Sequence, residues 1–385
     1  MKFAIITHAS HKRKENTMFS YEPYVREMNL WTPHATEVQI IAPIGEGEIT
    51  SIETSYDHKN IQLIPIAAFD VLSIKNTLKT LRLLPKTAYN IYKTMLWADH
   101  IHLRCPGNIG LIGCFVQLLF PNKPKTAKYA GNWDPKAKQP WSYRLQKWIL
   151  SNPFLTKNMK VLVYGEWPNQ SKNIVPFFTA SYSEIEKEGM TVKEFYKSFS
   201  NSTTLNQTNN DLIKLLFVGS LASGKQPLLS VQVVQQLKLK GYYVKLDIYG
   251  EGIERATIEN YLKKHGLENV IVLHGNVNKE TIKKAYQQAH FLLFISKSEG
   301  WPKVVAEAMF WACLPITSNV SCIPFMLDNG KRGAIVNSDI KEISGVIEEY
   351  LKDEQIYKDQ VKKAMEWSRI FTLEKFEEEI KKFLI

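Results

Sequence analysis

The chain has 385 residues, 44% of them hydrophobic and 23% charged, which is long enough for two cores and too apolar for a disordered polypeptide. No apolar run approaches the roughly 20 residues that span a bilayer, and the opening MKFAIITHASHKRK has too short an apolar core for a secretory signal, so a cytoplasmic protein is expected. The formal charge of +11 is uneven: residues 1–180 hold 22 Lys+Arg against 12 Asp+Glu and the remainder 27 against 26, so the first half is expected to meet something acidic.

In chain order, residues 2–8 read as a buried strand, followed by a charge-rich loop and a helix near 21–30. Short strands are expected at 38–42 and 61–66. Between residues 71 and 97 come two helical patterns broken at Pro85. Within them Lys75, Lys79, Arg82 and Lys86 recur at i, i+4, i+7 and i+11, opposed by Ile74, Leu78 and Leu81. Such a basic amphipathic face is either solvated or rests on an anionic membrane. Residues 99–104 form a strand pattern, Pro106-Gly107-Asn108 turns into an apolar helix ending near 120, and a strand at 126–130 opens onto Gly131-Asn132-Trp133-Asp134. Strands at 161–164 and 174–178 complete an α/β domain over residues 1–185.

Cys105, Cys114, Cys313 and Cys322 are too widely spaced for a metal or redox motif and read as reduced core thiols. No RNP pattern, zinc-finger spacing or recognition helix supports a nucleic-acid partner.

Polar residues ending in SNSTTLNQTNN mark a linker at 186–211. From residue 212 to 363 strands and helices alternate: KLLFVG, a helix over 227–240, VKLDIYG, a helix around 253–264, VIVLHG, a helix around 279–289, FLLFIS, a helix to 313, then LPITS. That rhythm implies a parallel, doubly wound sheet with its ligand at the carboxyl ends of the strands. The amphipathic tail, 364–385, is expected to cross back to the first domain.

The second half is organised around FLLFISKSEGWPKVVAEAMFWACLPITS, residues 291–318. A buried strand passes through Gly300 and Trp301 into a helix opened by Pro302, whose missing N–H costs nothing in a first turn. A helix N-terminus behind a glycine attracts anions. Glu299 stands at its mouth and Glu307 about two turns deeper, and carboxylates accept hydrogen bonds from the vicinal hydroxyls of a ribose or hexose. A sugar nucleotide has both parts.

Ser298-Glu299-Gly300-Trp301-Pro302 through Glu307-Ala308-Met309 resembles the E-x7-E signature of GT-B glycosyltransferases of family 4, the glycosyl transferases group 1 type. FVGSLASGK, DIYGEGIER, VLHGNV and GAIVN follow in that family's usual order across about 212–336. The resemblance implies an α/β fold of GT-B architecture, two Rossmann-like doubly wound domains facing a central cleft. It implies a retaining, metal-independent transferase that moves a sugar from a UDP- or GDP-linked donor to a glycan or glycolipid acceptor, with bacterial cell-surface polysaccharide synthesis as the expected setting. No cofactor and no DxD-type metal site are expected. By the same resemblance Lys225 and Glu299 are the catalytic candidates, Lys225 balancing the donor diphosphate and Glu299 near the sugar hydroxyls. Glu307 would hold the ribose, Gly300 and Trp301 would present backbone amides, Gly219 would turn the chain, Gly250 would make room for the nucleotide, and Gly275 and Asn276 would stand where the family holds the base mostly through backbone groups. The family's arginine after the first glycine is Ser220 here, a hydrogen-bond donor without charge. The loop after the first strand, His8-Ala9-Ser10-His11, lacks the family's glycines, and YAGNWD stands where many members carry a histidine. His8, Asn132 and Asp134 are therefore the acceptor-side candidates, and His11 and His102 read as loop or core residues.

Two other readings share these residues: a sugar-nucleotide epimerase or phosphorylase of the same architecture, and a noncatalytic nucleotide-sugar or carbohydrate-binding module. The expected partners are a nucleotide-sugar, a glycan or lipid-linked acceptor and, through the basic first domain, the inner face of an anionic membrane.

Overall fold

A computed structural model describes residues 1–15, 17–50, 52–67, 74–187 and 212–384, with the side chains of 74–82 outside the description. The expected linker therefore lies almost wholly outside the described residues, as do the side chains of Lys75, Lys79 and Arg82. The chain divides into two compact units, one of residues 1–179 with 373–385 and one of residues 180–372.

The first unit opens with β1 (Lys2–Ile6), β2 (His11–Lys14), β3 (Thr17–Tyr21), α1 (Glu22–Trp31), β4 (Glu37–Pro43), β5 (Glu53–Ser55), β6 (Ile61–Ile66) and α2 (Ile74–Trp97). It continues with β7 (His100–Cys105), α3 (Asn108–Val116), β8 (Lys125–Tyr129), α4 (Trp141–Leu150), β9 (Met159–Tyr164) and β10 (Ile174–Phe177). Seven strands form one parallel sheet in the order β10-β9-β8-β7-β1-β4-β6. Phe3 to Ile6 of β1 are wholly buried, as expected of a strand covered on both faces. Strand order reverses between β1 and β7, so the residues following Ile6 and Cys105 share the ligand-binding edge.

Three features differ from the sequence reading. The charge-rich loop after β1 is part of a small antiparallel sheet, β2-β3-β5; Arg13 and Lys14 are exposed, so the run carries no apolar alternation to announce a strand. The helix over 74–97 runs unbroken through Pro85, whose exposed position lets the carbonyl it deprives of a donor meet water. α4, which was not expected, buries Ser142, Gln146, Ile149 and Leu150 on one face at helical spacing, but two of the four are polar, so hydrophobic periodicity does not show it.

The second unit contains β11 (Ile213–Val218), α5 (Pro227–Leu239), β12 (Val244–Tyr249), α6 (Arg255–His265), β13 (Ile271–Gly275), α7 (Lys279–Gln288), β14 (Phe291–Phe294), α8 (Lys303–Phe310) and β15 (Leu314–Ser318). It ends with α9 (Ile323–Met326), β16 (Ala334–Val336), α10 (Ile340–Lys352) and α11 (Glu354–Ser368). Its parallel sheet runs β13-β12-β11-β14-β15-β16, the doubly wound order in which the first and fourth strands meet at the switch point. α11 begins ten residues before the expected tail and stays with this unit, and only the C-terminal helix Leu373–Lys381 belongs to the first. There Phe376 packs edge-on against Phe177, ring centroids 5.1 Å apart.

All four cysteines are buried and free of disulfides. Among the described residues no helix is long and apolar enough to cross a membrane.

Candidate functional site

β11 and β14 are the strands at the switch point of the second unit, and each delivers one catalytic candidate. After β11 the chain turns at Gly219, φ +152°, and closes a tight turn in which the Lys225 amide donates to the Ala222 carbonyl at 2.8 Å. After β14 it leaves through Ser296, whose amide donates to Ser318 Oγ at 2.9 Å. The two loops are stitched by the Lys297 amide, which donates to the Gly224 carbonyl at 2.9 Å. On that support the Lys225 ammonium is ion-paired with Glu299 Oε1, and Ser296 Oγ donates to the same oxygen at 2.5 Å. Lys225 Nζ also lies 4.9 Å from the Phe294 ring centroid, a cation–π contact.

The neighbouring glycines are required by contact. A Cβ on Gly250 would lie 1.9 Å from the Gly219 carbonyl oxygen, and one on Gly252 would lie 2.4 Å from that of Leu221. Only bare backbone lets the ends of β11 and β12 approach this closely. Gly275, φ +71°, ends β13, and Asn276 beyond it is exposed. Ser220, at the family's arginine position, is exposed on the same edge.

Beyond Glu299 the Gly300 carbonyl accepts from Ser321 Oγ at 2.8 Å and from Cys322 Sγ at 3.3 Å. This fixes the plane of the Gly300–Trp301 peptide, because its carbonyl and amide point opposite ways. The Trp301 indole is buried, 6.2 Å from Trp367 and 5.9 Å from Phe371 by ring centroid. Pro302 stands one residue ahead of α8 rather than inside its first turn.

Glu307, on α8, is half-buried, and its partners belong to the protein. Ser181 Oγ donates to Oε1 at 2.6 Å and the Tyr286 hydroxyl to Oε2 at 3.2 Å. Burial, with the Glu307 charge adding to it, pushes the Tyr286 phenol well above its usual range and keeps it a donor. Lys225 and Glu299 are thus joined directly, while Glu307 is held by a separate pair. Ser296, Ser181 and Tyr286 were not singled out in the sequence. No motif marks them, since each acts through a fold contact with a carboxylate.

The acceptor-side candidates lie in the first unit. His8 is exposed just past β1, and a Cβ on Gly107 would come within 2.8 Å of its Nδ1. Partial desolvation, then the nearby Arg104 charge, lower its pKa. Arg104, at the end of β7, is ion-paired with Glu27 of α1, and the other Glu27 oxygen takes Lys128 at 3.1 Å. Asn132 and Asp134 hold their own loop: Asn132 Oδ1 accepts the Asp134 amide at 2.9 Å and Asp134 Oδ1 the Lys136 amide at 2.8 Å. His11 is buried, its Nε2 2.7 Å from the Tyr56 hydroxyl, and His102 is buried against Thr126. Among the described residues no group of three or more His, Cys, Asp or Glu is placed to hold a metal ion.

Residues 202–367 match the family model of glycosyl transferases group 1. The match lies in the second half of the chain and covers less than half of its length. A curated relative from Campylobacter jejuni is GalNAc-alpha-(1->4)-GalNAc-alpha-(1->3)-diNAcBac-PP-undecaprenol alpha-1,4-N-acetyl-D-galactosaminyltransferase. It is 27% identical over 169 residues, 43% of this chain, and the match spans about half of the relative's length, 46%. Anabaena HepE, solved in complex with UDP and glucose, superposes with a TM-score of 0.68 at 12% identity, covering 100% of this chain and 99% of that one. WaaG, a glycosyltransferase involved in lipopolysaccharide biosynthesis, gives 0.63 at 12% identity over 99% of both chains. Coverage of this extent shows the fold of both units, the GT-B architecture.

Proposed function

We propose that the protein is a retaining, metal-independent glycosyltransferase that takes a sugar from a nucleotide-diphosphate donor and places it on a glycan or lipid-linked acceptor. The observation that carries this reading is the Lys225–Glu299 pair on stitched loops at the switch point, beside the N-terminus of α8. A diphosphate drawn into the pair would take the Lys225 ammonium as its counter-charge, joined by the helix end. Glu299 would then turn to the sugar hydroxyls, and Glu307, 3.2 Å from Tyr286, to the ribose. As the bond from the anomeric carbon to the diphosphate breaks, negative charge grows on the leaving oxygen, so Lys225 contributes more to the transition state than to the ground state.

The donor and acceptor classes draw on the relatives. HepE is described with UDP and glucose, and the Campylobacter enzyme's name places a glycan on undecaprenol pyrophosphate. A lipid-linked acceptor would bring the enzyme to the inner face of the membrane.

A second reading, a nucleotide-sugar-binding module without turnover, draws on Ser220, which supplies no charge where the family has arginine. One experiment separates them. UDP- and GDP-sugars are incubated with the protein and polyprenyl-diphosphate glycans, and products are resolved by mass spectrometry with the anomeric configuration read by NMR. Transfer with retention supports the first reading. Donor binding without any product supports the second.

A further inference from the structure

The sheet of the first unit has a second edge, opposite the one that carries His8 and Arg104, and a cavity of about 510 Å³ opens there. β8 begins at its Lys125, β9 at its Met159, and Asn173 immediately precedes β10. Lys125, Lys157, Lys160, Lys172 and Lys382 line it, and no acidic residue does. Lys382 is satisfied by Glu379 at 2.7 Å and Glu378 at 3.6 Å. Lys157, Lys160 and Lys172 are exposed and form no ion pair among the described residues. The local excess is large: residues 101–180 contain 11 Lys+Arg against 2 Asp+Glu.

Lys125 is the distinguishing member. Its side chain is buried, the residue being 2% exposed, and its ammonium donates to the Phe120 carbonyl at 2.7 Å, with no carboxylate paired to it among the described residues. A buried cation without a counter-charge is costly, and an anion brought to it removes much of that cost. Burial lowers its pKa to about 8, so it still carries a proton at neutral pH. The walls are built rather than loose. Asn173 Nδ2 donates to the Leu150 carbonyl at 2.8 Å and to Thr156 Oγ1 at 3.0 Å, and Asn158 Nδ2 donates to the Pro121 carbonyl at 3.1 Å.

We propose that this lysine-lined cavity is a binding site for a phosphate-bearing anion, separate from the donor site of the second unit. Ammonium groups on flexible stems suit a compact, multiply charged group such as a phosphate better than a planar carboxylate. The phosphate could be carried by a lipid headgroup or by a soluble diphosphate. Near the cavity Phe154 is 89% exposed and Leu119 is 66% exposed, and their segments are joined by Gln117, which donates to the Leu155 carbonyl at 3.0 Å. These apolar groups would suit the boundary of a bilayer.

The test uses the full chain and two probes, pyrophosphate by calorimetry and sedimentation with phosphatidylcholine vesicles with and without phosphatidylglycerol. The parent is compared with Lys157→Glu/Lys160→Glu and with a control of equal charge change, Lys263→Glu/Lys264→Glu on α6. Thermal melts show that each variant is folded. Pyrophosphate also suits Lys225, so only the binding lost in the first variant is assigned to the cavity. At least one probe is expected to bind the parent and to bind the Lys157/Lys160 variant at least tenfold more weakly, with the control unchanged. Loss confined to phosphatidylglycerol vesicles assigns a lipid headgroup, and loss confined to pyrophosphate a soluble ligand. Failure of both probes to bind the parent, or equal weakening in the control, would overturn the site. None of these outcomes depends on whether the second unit transfers a sugar.

Discussion

The Glu307 carboxylate accepts a 2.6 Å hydrogen bond from the Ser181 hydroxyl, 126 residues earlier in the chain, while Tyr286 holds its second oxygen. A ribose would compete with Ser181 for Oε1. Glu307→Ala is expected to weaken UDP binding by about 1–3 kcal/mol, the range for hydrogen bonds to a charged group. Ser181→Ala should leave it no weaker than the parent. Calorimetry with UDP decides, and equal affinity in parent and Glu307→Ala would end the ribose role.

Lys225→Ala should reduce turnover more than donor affinity, by on the order of 10²-fold in kcat, because the leaving phosphate gains charge only as the bond breaks. The measurement is kcat beside a directly determined donor Kd. A loss confined to Kd would make Lys225 a binding residue only.

Ser220→Arg places a guanidinium on the exposed edge beside Gly219. Bidentate pairing with a diphosphate is expected to tighten UDP binding about tenfold and to make it more sensitive to salt. Unchanged affinity at low salt would show that the loop aims this position away from the phosphates.

Gly250→Ala should destabilise the second unit by more than about 2 kcal/mol, since its Cβ would meet the Gly219 carbonyl oxygen at 1.9 Å at a φ of +135°. Urea unfolding reads the loss. A parent-like midpoint would mean that the β11 and β12 ends move apart at little cost.

His290 Nδ1 accepts the Lys214 amide at 3.1 Å, and burial, with the Lys214 charge second, lowers its pKa to about 4. The folded state keeps this ring neutral while the unfolded chain takes up a proton below about pH 6.5. Stability from this group is therefore complete above that pH, falls by about 1.4 kcal/mol per pH unit as pH drops toward 4, and is level below. Urea midpoints between pH 7.5 and 4.5 should show it. His290→Asn, which keeps an acceptor for the amide, should flatten the slope by one proton, and an identical slope in the variant would refute the assignment.

The repeating strands of the second unit were legible because FLLF and LLFV are unbroken apolar runs bounded by glycine or serine. The positions of Gly219, Lys225 and Glu299 followed from those strand ends. Their stitching did not, because the Lys297–Gly224 bond spans two loops distant in sequence and involves only backbone groups. The same limit hid Arg104 and Lys128, which sit in strands whose charge is matched by Glu27 from a helix near the start of the chain. β2 escaped because three of its four residues, Lys12, Arg13 and Lys14, are charged, and β3 because its five residues, TMFSY, are too few and too mixed for an alternation to show.

Lys128, 0% exposed, keeps its ammonium 4.7 Å from the Phe376 ring, and Phe376 belongs to the C-terminal helix. A ribosome makes that ring more than 190 residues after it has finished β10. During synthesis the amine that will be sealed last is left facing water or a chaperone while the whole of residues 180–372 is produced. The first unit has its whole seven-stranded sheet by then and lacks only this last helix, so the nascent first unit is expected to be more protease-sensitive than the same unit in the finished protein.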